Sequence, residues 1–291
     1  LNKNDTPIID VKELSHTYLP GTPLEVHSLD KVSMNVCVNE TVGIIGPSGS
    51  GKSTLLQHLN GLLIPQEGDL LINGVSVTEL ASGLRKVRQS IGLVFQNPEK
   101  QLFEHYAGDD VAFGPRNMGL NREEIRGRVR SAMETVGLPF SFKDRLTAEL
   151  SLGQKRRLAL AGVLAMDPSV LVLDEPTSSL DPEGRFELLD ILSGWKSEKG
   201  KALVIASHNM EDITELSDRV YVLVKGRVVA SGSTREVFLK HEIFNTHGLS
   251  IPLPAQIIFE LSKLGLPVSQ GALTEDEAVG EIMSLLKETS E

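Results

Sequence analysis

The chain is poor in several things, and each shortage excludes something. It has one cysteine, Cys37, in 291 residues, so no disulfide can form within it and a reducing cytosol is expected. Cys37 falls on a predicted strand and reads as a packing residue or an idle thiol. Cations are outnumbered: 29 Lys and Arg face 39 Asp and Glu, a net charge of −10. That balance argues against a nucleic-acid footprint, although a local basic patch can persist beneath it. No apolar run approaches the length needed to cross a bilayer. Residues 1–5, Leu-Asn-Lys-Asn-Asp, are not a signal peptide. There are no internal repeats and no low-complexity segments. The remainder is ordinary for a globular protein, 40% hydrophobic and 23% charged, and long enough for one large domain or one domain with an appendage.

One stretch organises the rest: Gly46-Pro47-Ser48-Gly49-Ser50-Gly51-Lys52-Ser53-Thr54. Before it, residues 42–45 form a short apolar run interrupted by Gly43, read as a buried strand. After it, Leu55, Leu56, Leu59 and Leu62 recur at helical spacing. Strand, glycine-rich loop and helix are the context that G-x-x-x-x-G-K-[ST] requires. The glycines let backbone N–H groups curl round an anion without a Cβ in the way. The helix N-terminus adds partial positive charge. Lys52 supplies a mobile cation for the β- and γ-phosphates, and the Ser53 hydroxyl can ligate Mg²⁺. This is the pattern of a nucleoside-triphosphate site.

Around that loop the chain alternates. Residues 8–14 read as a first strand, and His16-Thr17-Tyr18-Leu19-Pro20-Gly21-Thr22-Pro23 as a loop. Val32, Met34, Val36 and Val38 keep strict period two, a half-buried strand. Asn73-Gly74 between two apolar runs signals a hairpin. Residues 91–95 are a buried strand, followed to Pro115 by an irregular pattern that Gly108 and Gly114 break. Asn121 looks like an N-cap with Glu123 and Glu124 in the first turn. Ile125, Val129, Met133 and Val136 then form a helical stripe that Gly137 stops. A helix is expected from about Gln154 to Met166, a central parallel strand at 170–173, a helix at 182–196 and a strand at 202–206. Residues 220–230 suggest a terminal hairpin. Beyond about Phe238 two short helical patterns follow. The second holds an apolar stripe of Ala278, Ile282, Leu285 and Leu286, which needs the main domain or a second subunit to bury it.

Asp174 and Glu175 close the strand at 170–173. In a phosphate-loop fold an acid at that strand end sits beside Mg²⁺. The next carboxylate, Glu175, is placed to orient or deprotonate the attacking water. Four further stretches join them: Gln96 after a strand, Leu150-Ser151-Leu152-Gly153-Gln154 before a helix, Ser179-Leu180-Asp181 behind the acidic pair, and Ser207-His208 at the next strand end.

In order and spacing these motifs resemble the ATPase subunits of ABC transporters, over about residues 7–235. The resemblance implies an α/β fold: a RecA-like P-loop NTPase core with an antiparallel β-subdomain, and an α-helical signature subdomain at about 97–167. It implies ATP and Mg²⁺ held between two such domains, head to tail. It also implies roles. Gly46, Ser48, Gly49, Ser50, Gly51, Lys52, Ser53 and Thr54 would cradle the phosphates, and Tyr18 would stack on adenine. Ser53, Gln96 and Asp174 would serve Mg²⁺, and Gln96 would also reach the water. Glu175 would act as the base and His208 as a donor to the γ-phosphate. Ser151, Gly153 and Gln154 would close on the partner's γ-phosphate, and Asp181 would link the two sites. The usual signature is LSGGQ, and Leu152 here replaces its first glycine. If only Ser151 and Gly153 touch phosphate, Leu152 can turn away harmlessly.

Four stretches look narrower: residues 18–23, 57–62, 95–103 and 161–166. They resemble the ATPases of energy-coupling factor importers, which take up vitamins or cobalt and nickel ions. That resemblance implies a second ATPase subunit in a homodimer or heterodimer, with a lean toward the A′-type partner. It also implies a membrane T component, a separate substrate-binding membrane component and a place on the cytoplasmic face of the membrane. Residues 236–291 would be a C-terminal extension used in pairing. Residues 97–114 would line the groove for a coupling helix, where Glu99, Glu104, Asp109 and Asp110 could meet arginines. Rivals are a soluble repair or ribosomal ABC ATPase, which lacks support from the charge balance; the ATPase of another ABC transporter; and a regulatory nucleotide-binding module without turnover, against which Glu175 and His208 both speak.

Overall fold

The computed structural model describes residues 7–79, 83–97, 100–178, 180–269 and 271–288. Pro98, Glu99, Ser179 and the opening residues 1–5, all singled out above, lie outside the described residues. The first strands are antiparallel: β1 (Ile9–Tyr18) pairs β2 (Val26–Val36) on one side and β4 (Glu67–Ile72) on the other. β3 (Thr41–Ile45) leaves that sheet, runs into the glycine-rich loop and continues as α1 (Lys52–Leu59). β5 (Val75–Ser76) closes the Asn73-Gly74 hairpin, giving the order β2-β1-β4-β5. Tyr18 ends a strand rather than lying in a loop. Its partner Val26, and His27 opposite Thr17, extend the ladder past where the local pattern stopped.

The second sheet takes β3 at its middle and draws its other strands from the chain after α2 (Leu84–Ser90). β6 (Ile91–Val94) is followed by α3 (Ala107–Met118), α4 (Arg122–Thr135) and α5 (Leu152–Leu164), then by β7 (Val170–Asp174), α6 (Pro182–Lys196), β8 (Ala202–Ala206), α7 (Met210–Leu216), β9 (Arg219–Val224) and β10 (Arg227–Ser233). Its order is β10-β9-β3-β8-β7-β6, parallel except for the β9–β10 hairpin. β3, β7 and β8 are buried at every residue, as strands covered on both faces are. Alternation sends Val42, Val170, Val172 and Val204 to the face under α1, with Leu55, Leu56 and Leu59. Ile45, Leu171, Leu173 and Leu203 go to the opposite face, with the helices. Each such side chain contributes about 1.5–3 kcal/mol by leaving water.

The second half of the irregular stretch before Pro115 is in fact helix, α3, from Ala107 onward. Gly108 and Gly114 do not break it; they let it pack closely. A Cβ at Gly108 would lie 2.7 Å from that of Lys143, and one at Gly114 would strike the Met166 side chain at 2.5 Å. The helix read from Gln154 starts two residues earlier, at Leu152. Val38 and Leu62 fall outside their strand and helix, and both are exposed.

The tail holds α8 (Thr234–Phe238), α9 (His241–His247), α10 (Leu253–Lys263) and α11 (Glu275–Glu288). Phe238 and Phe244 are buried in the main core with ring centroids 5.3 Å apart. Ala278 packs in a smaller cluster with Ile258 and Ala272, and Ile282 lies against it.

Candidate functional site

The loop between β3 and α1 is shaped by positive φ at Gly49 (76°) and Gly51 (103°). Close approach makes two glycines obligatory. A Cβ at Gly46 would collide with the Leu223 carbonyl, and one at Gly51 would come within 2.5 Å of the Ser28 carbonyl. Gly226 N–H donates to the Ser50 carbonyl at 2.9 Å and ties the loop to the β9–β10 turn. Ser48, Gly49 and Ser53 are exposed, whereas the Ser50 side chain is buried beneath the loop. Lys52 donates to the carbonyls of Gly46 (2.7 Å) and Pro47 (3.2 Å). Burial lowers its pKa, and the Glu175 and Asp174 carboxylates oppose that.

Strand order then aligns groups that are far apart in the chain. β3, β8, β7 and β6 are neighbours, so Lys52, His208, Asp174 with Glu175, and Gln96 follow one another along the carboxyl edge of one sheet. Ligand sites of open α/β sheets lie at that edge. Asp174 is buried, which raises its pKa, and a hydrogen bond from Ser53 opposes the shift. Glu175 leaves β7 with φ of 49°, a left-handed conformation that costs a non-glycine residue about 1–2 kcal/mol. Its Oε2 accepts from His208 N–H (3.2 Å) and Ser207 Oγ (3.4 Å) and lies 2.7 Å from His208 Nδ1. With Nδ1 so engaged, Nε2 of a side chain 68% exposed is left for another partner.

Tyr18 reaches the same loop from the other sheet. Its hydroxyl lies 3.3 Å from Thr54 Oγ1, which also accepts from Ser28 Oγ at 2.8 Å. His16 packs edge-on against the Tyr18 ring at 4.6 Å and against His58 at 4.8 Å. Burial lowers the pKa of both imidazoles, His58 to about 4.

Of the other predicted residues, Ser151, Gly153, Gln154 and Asp181 are not gathered there. Ser151 caps α5: its side chain accepts from Gln154 N–H, and Gln154 returns a bond to the Ser151 N–H. Among the described residues no hydrogen bond joins either to the phosphate loop. Leu152 is the first helical residue, has no positive φ and is 52% exposed, so it needs no glycine backbone. A Cβ at Gly153 would meet nothing within 4 Å. Asp181 caps α6 by accepting from Gly184 N–H at 2.9 Å. The Gln96 side chain is exposed.

Three residues that tie the edge together escaped the motif reading. Arg156 of α5 is buried; it donates to the Gln96 carbonyl at 3.2 Å and to the Ser178 carbonyl. Asp212 of α7 is fully buried, accepting from Thr177 Oγ1 and, at 2.6 Å, from Arg185 Nε. Thr177 follows Glu175 by two residues and Asp212 follows His208 by four, so this pair braces both turns. The one available signal was a charged residue amid each helix's apolar positions.

The chemistry of the edge suits a polyphosphate with a hard cation. The Ser53 hydroxyl and the Asp174 carboxylate, neighbours close enough for Ser53 to oppose the rise in the Asp174 pKa, make a two-oxygen set of the kind Mg²⁺ uses when phosphates and water complete its shell. Among the described residues no group of three or more acidic, histidine or cysteine side chains forms an all-protein metal cage.

Comparison with known proteins agrees with this geometry. Residues 29–178 match the ABC transporter family. The energy-coupling factor transporter ATP-binding protein EcfA2 of Symbiobacterium thermophilum is 48% identical over 280 residues, covering 96% of each chain. The EcfA2 protein of Clostridium acetobutylicum is 43% identical, over 96% of this chain and 98% of its own. Among solved structures, cbiO1 from Clostridium perfringens, part of the ABC transporter complex cbiONQ, superposes with a TM-score of 0.73 at 39% identity, over 90% of this chain and 98% of that one. The ATP-binding cassette MJ0796, a dimer in a post-hydrolysis state bound to ADP and Pi, gives 0.71 at 30% identity, over 78% and 99%.

Proposed function

The chain belongs to the ABC transporter family, among the ATP-binding proteins of energy-coupling factor transporters, and from that footing we propose that it hydrolyses ATP in a head-to-tail pair of ATPase subunits to drive solute import. One observation carries the reading. Lys52, Asp174, Glu175 and His208 gather at one sheet edge, while Ser151 is exposed at the tip of α5 and, among the described residues, bonded only within its own turn. A helix N-terminus of that kind is an anion site waiting for a partner's phosphate. A second subunit, inverted, completes each site.

In the closed site Lys52 serves the β- and γ-phosphates in place of the loop carbonyls, and Tyr18 stacks on adenine. Ser53 and Asp174, with Gln96, hold Mg²⁺, which when bound offsets the charge of the phosphate oxygens. The attacking water forms its bond to the γ-phosphorus as the bond to the bridging oxygen breaks. Its proton passes to the Glu175 carboxylate, a step that general-base catalysis accelerates by roughly 10²–10⁴. His208 keeps that carboxylate turned to the site and offers Nε2 to the γ-phosphate. Ser151, Gly153 and Gln154 of the second subunit close on the same phosphate, and Asp181 starts the helix that links the two sites.

The membrane partner has a place to dock. A groove of about 510 Å³ runs between α2, β6, α3 and α5, walled by Phe95, Phe113 and Met118. Phe103 and Phe113 meet edge to face at 4.6 Å. Of the acids expected to face arginines, Asp109 is paired with Arg116 at 2.5 Å. Asp110 instead lies buried on the groove wall, with Oδ2 lacking a partner among the described residues. An apolar helix carrying one cation fits there, as a coupling helix of the T component would. Among the described residues no helix is long and apolar enough to cross a membrane, which is consistent with a peripheral subunit on the cytoplasmic face. The solute, a vitamin or a cobalt or nickel ion, is chosen by the separate substrate-binding component.

The test is ATP-dependent pairing. With Glu175→Gln, which binds but does not turn over ATP, the chain should sediment as a dimer in ATP, alone or with a second ATPase subunit, and as a monomer in ADP. Adding Ser151→Arg should abolish that dimer. A dimer indifferent to Ser151→Arg would sink the reading.

A further inference from the structure

Arginine recurs on α4 at an unfavourable spacing. Arg122, Arg126 and Arg130 stand four residues apart, stacked on one side of the helix, where like charges repel. Arg130 has an occupation, its guanidinium lying 4.5 Å over the Phe140 ring. Arg122 and Arg126 are exposed and, among the described residues, no ion pair engages them. Both line an open concavity of about 560 Å³ between α3, α4 and the turn around Phe140, and Arg116 and Lys143 line it too. Two carboxylates share the lining, yet each already has its cation: Asp109 with Arg116 at 2.5 Å, Asp144 with Lys143 at 2.5 Å. Glu124 accepts from the Asn121 N–H at 2.9 Å. Four cations less two carboxylates leave an excess of two positive charges in one concavity, on a chain whose net charge is −10.

We propose that this cavity binds the phosphodiester headgroup of an anionic phospholipid. Two guanidinium forks match phosphate oxygens in geometry as well as charge. A compact headgroup fits a single concavity, whereas an extended polyanion such as nucleic acid would run onto the acidic remainder of the surface. Helix α3 points to the lipid as the source. Its Asp110, Phe113 and Asn117 border the docking groove, while its Asp109, Ala112 and Arg116 border the cavity. The two sites are therefore one helix width apart, roughly 10 Å. That placement rests on the docking reading given above; the charge argument does not.

The test uses the whole 291-residue chain without its membrane partners, so a failed docking reading and a failed headgroup site show up in different experiments. Vesicles of phosphatidylcholine with phosphatidylglycerol should retain the protein, and pure phosphatidylcholine should not. Arg122→Glu with Arg126→Glu should weaken retention by more than roughly thirtyfold. Arg122→Gln with Arg126→Gln, a milder pair that keeps the helix, should give a smaller loss in the same direction. Lys12→Glu with Lys240→Glu, the same charge change elsewhere, should leave retention unchanged. Equal losses from both reversals would mean that overall charge, not the cavity, governs binding, and would overturn the proposal. Binding of inorganic phosphate at Arg122 and Arg126 with no vesicle retention would assign the site to a free anion and overturn the lipid source.

Discussion

Asp110 shows what one buried group does to pH dependence. Burial, with help from nearby Glu104, pushes its carboxyl up to about 6. The fold therefore favours the protonated form: its contribution to stability is full below the ordinary carboxyl value of 3.8 and is lost as pH rises through about 6. Asp110→Asn should raise thermal stability near pH 8 by at most about 3 kcal/mol, with the gain vanishing by about pH 4. On the docking reading the same variant should weaken assembly with the membrane partner near pH 8, because the ionised carboxylate is what an incoming arginine would pair. Calorimetry across that range and co-purification from membranes check the two halves. A wild-type chain whose stability stays flat from about pH 4 to 8 would show that Asp110 is not held as described. Glu175 is the opposite case, a residue in a strained left-handed turn that three donors of the next strand's end hold in place, as strain at working sites commonly is.

At the scale of elements, the catalytic edge depends on helices that touch no reacting atom. The Thr177–Asp212–Arg185 bonds join the turn after β7, helix α7 and helix α6. Asp212→Ala takes from the part-buried Arg185 guanidinium its 2.6 Å carboxylate and leaves only the half-exposed Glu215 at 3.7 Å, so the loss should fall toward the low end of the about 3–5 kcal/mol that breaking a buried pair costs. Turnover should fall because Glu175 and His208 lose their common brace, while ATP affinity, set at the loop after β3, should change little. Nucleotide binding and hydrolysis measured on the same preparation separate these outcomes. A fall in affinity matching the fall in rate would mean that the pair supports the whole edge rather than its two turns. Arg156 plays a similar part from α5, holding the backbone at Gln96 and Ser178. Through it the helix that starts at Ser151 meets two loops of its own subunit's site.

For the whole molecule, the open question of surface is the tail. One side of α11 is docked, through Ala278 and Ile282, on the small cluster around Ile258. Of the apolar stripe read from the sequence, Leu286 is 54% exposed, and Val279 (58%) and Met283 (50%), outside that stripe, add an apolar pair on the solvent side four residues apart. We expect this side to pair ATPase subunits. Val279→Glu with Met283→Glu should leave stability within about 0.5 kcal/mol of wild type, as exposed sites do, and should weaken the dimer that the Glu175→Gln chain forms in ATP. Unchanged pairing would assign that side of the tail another use.

Much was legible locally, for reasons of period and cap. The strand–loop–helix around Lys52, the N-cap at Asn121, the helix from Pro182 to Lys196 and the strand from Ala202 to Ala206 are all as read, because alternation, capping and glycine placement are properties of neighbouring residues. The candidate chemistry was equally legible, since a phosphate loop and an acidic strand end announce themselves by residue type. Three things were not. Helix α3 was hidden because its glycines answer to Lys143 and Met166, residues far along the chain. The brace at Asp212 and the clamp at Arg156 join loops whose proximity no local pattern encodes. The order β3-β8-β7-β6, which brings Lys52, His208, Glu175 and Gln96 to one edge, is decided by which strands pair across long loops, and pairing is a choice of the whole chain rather than of any stretch within it.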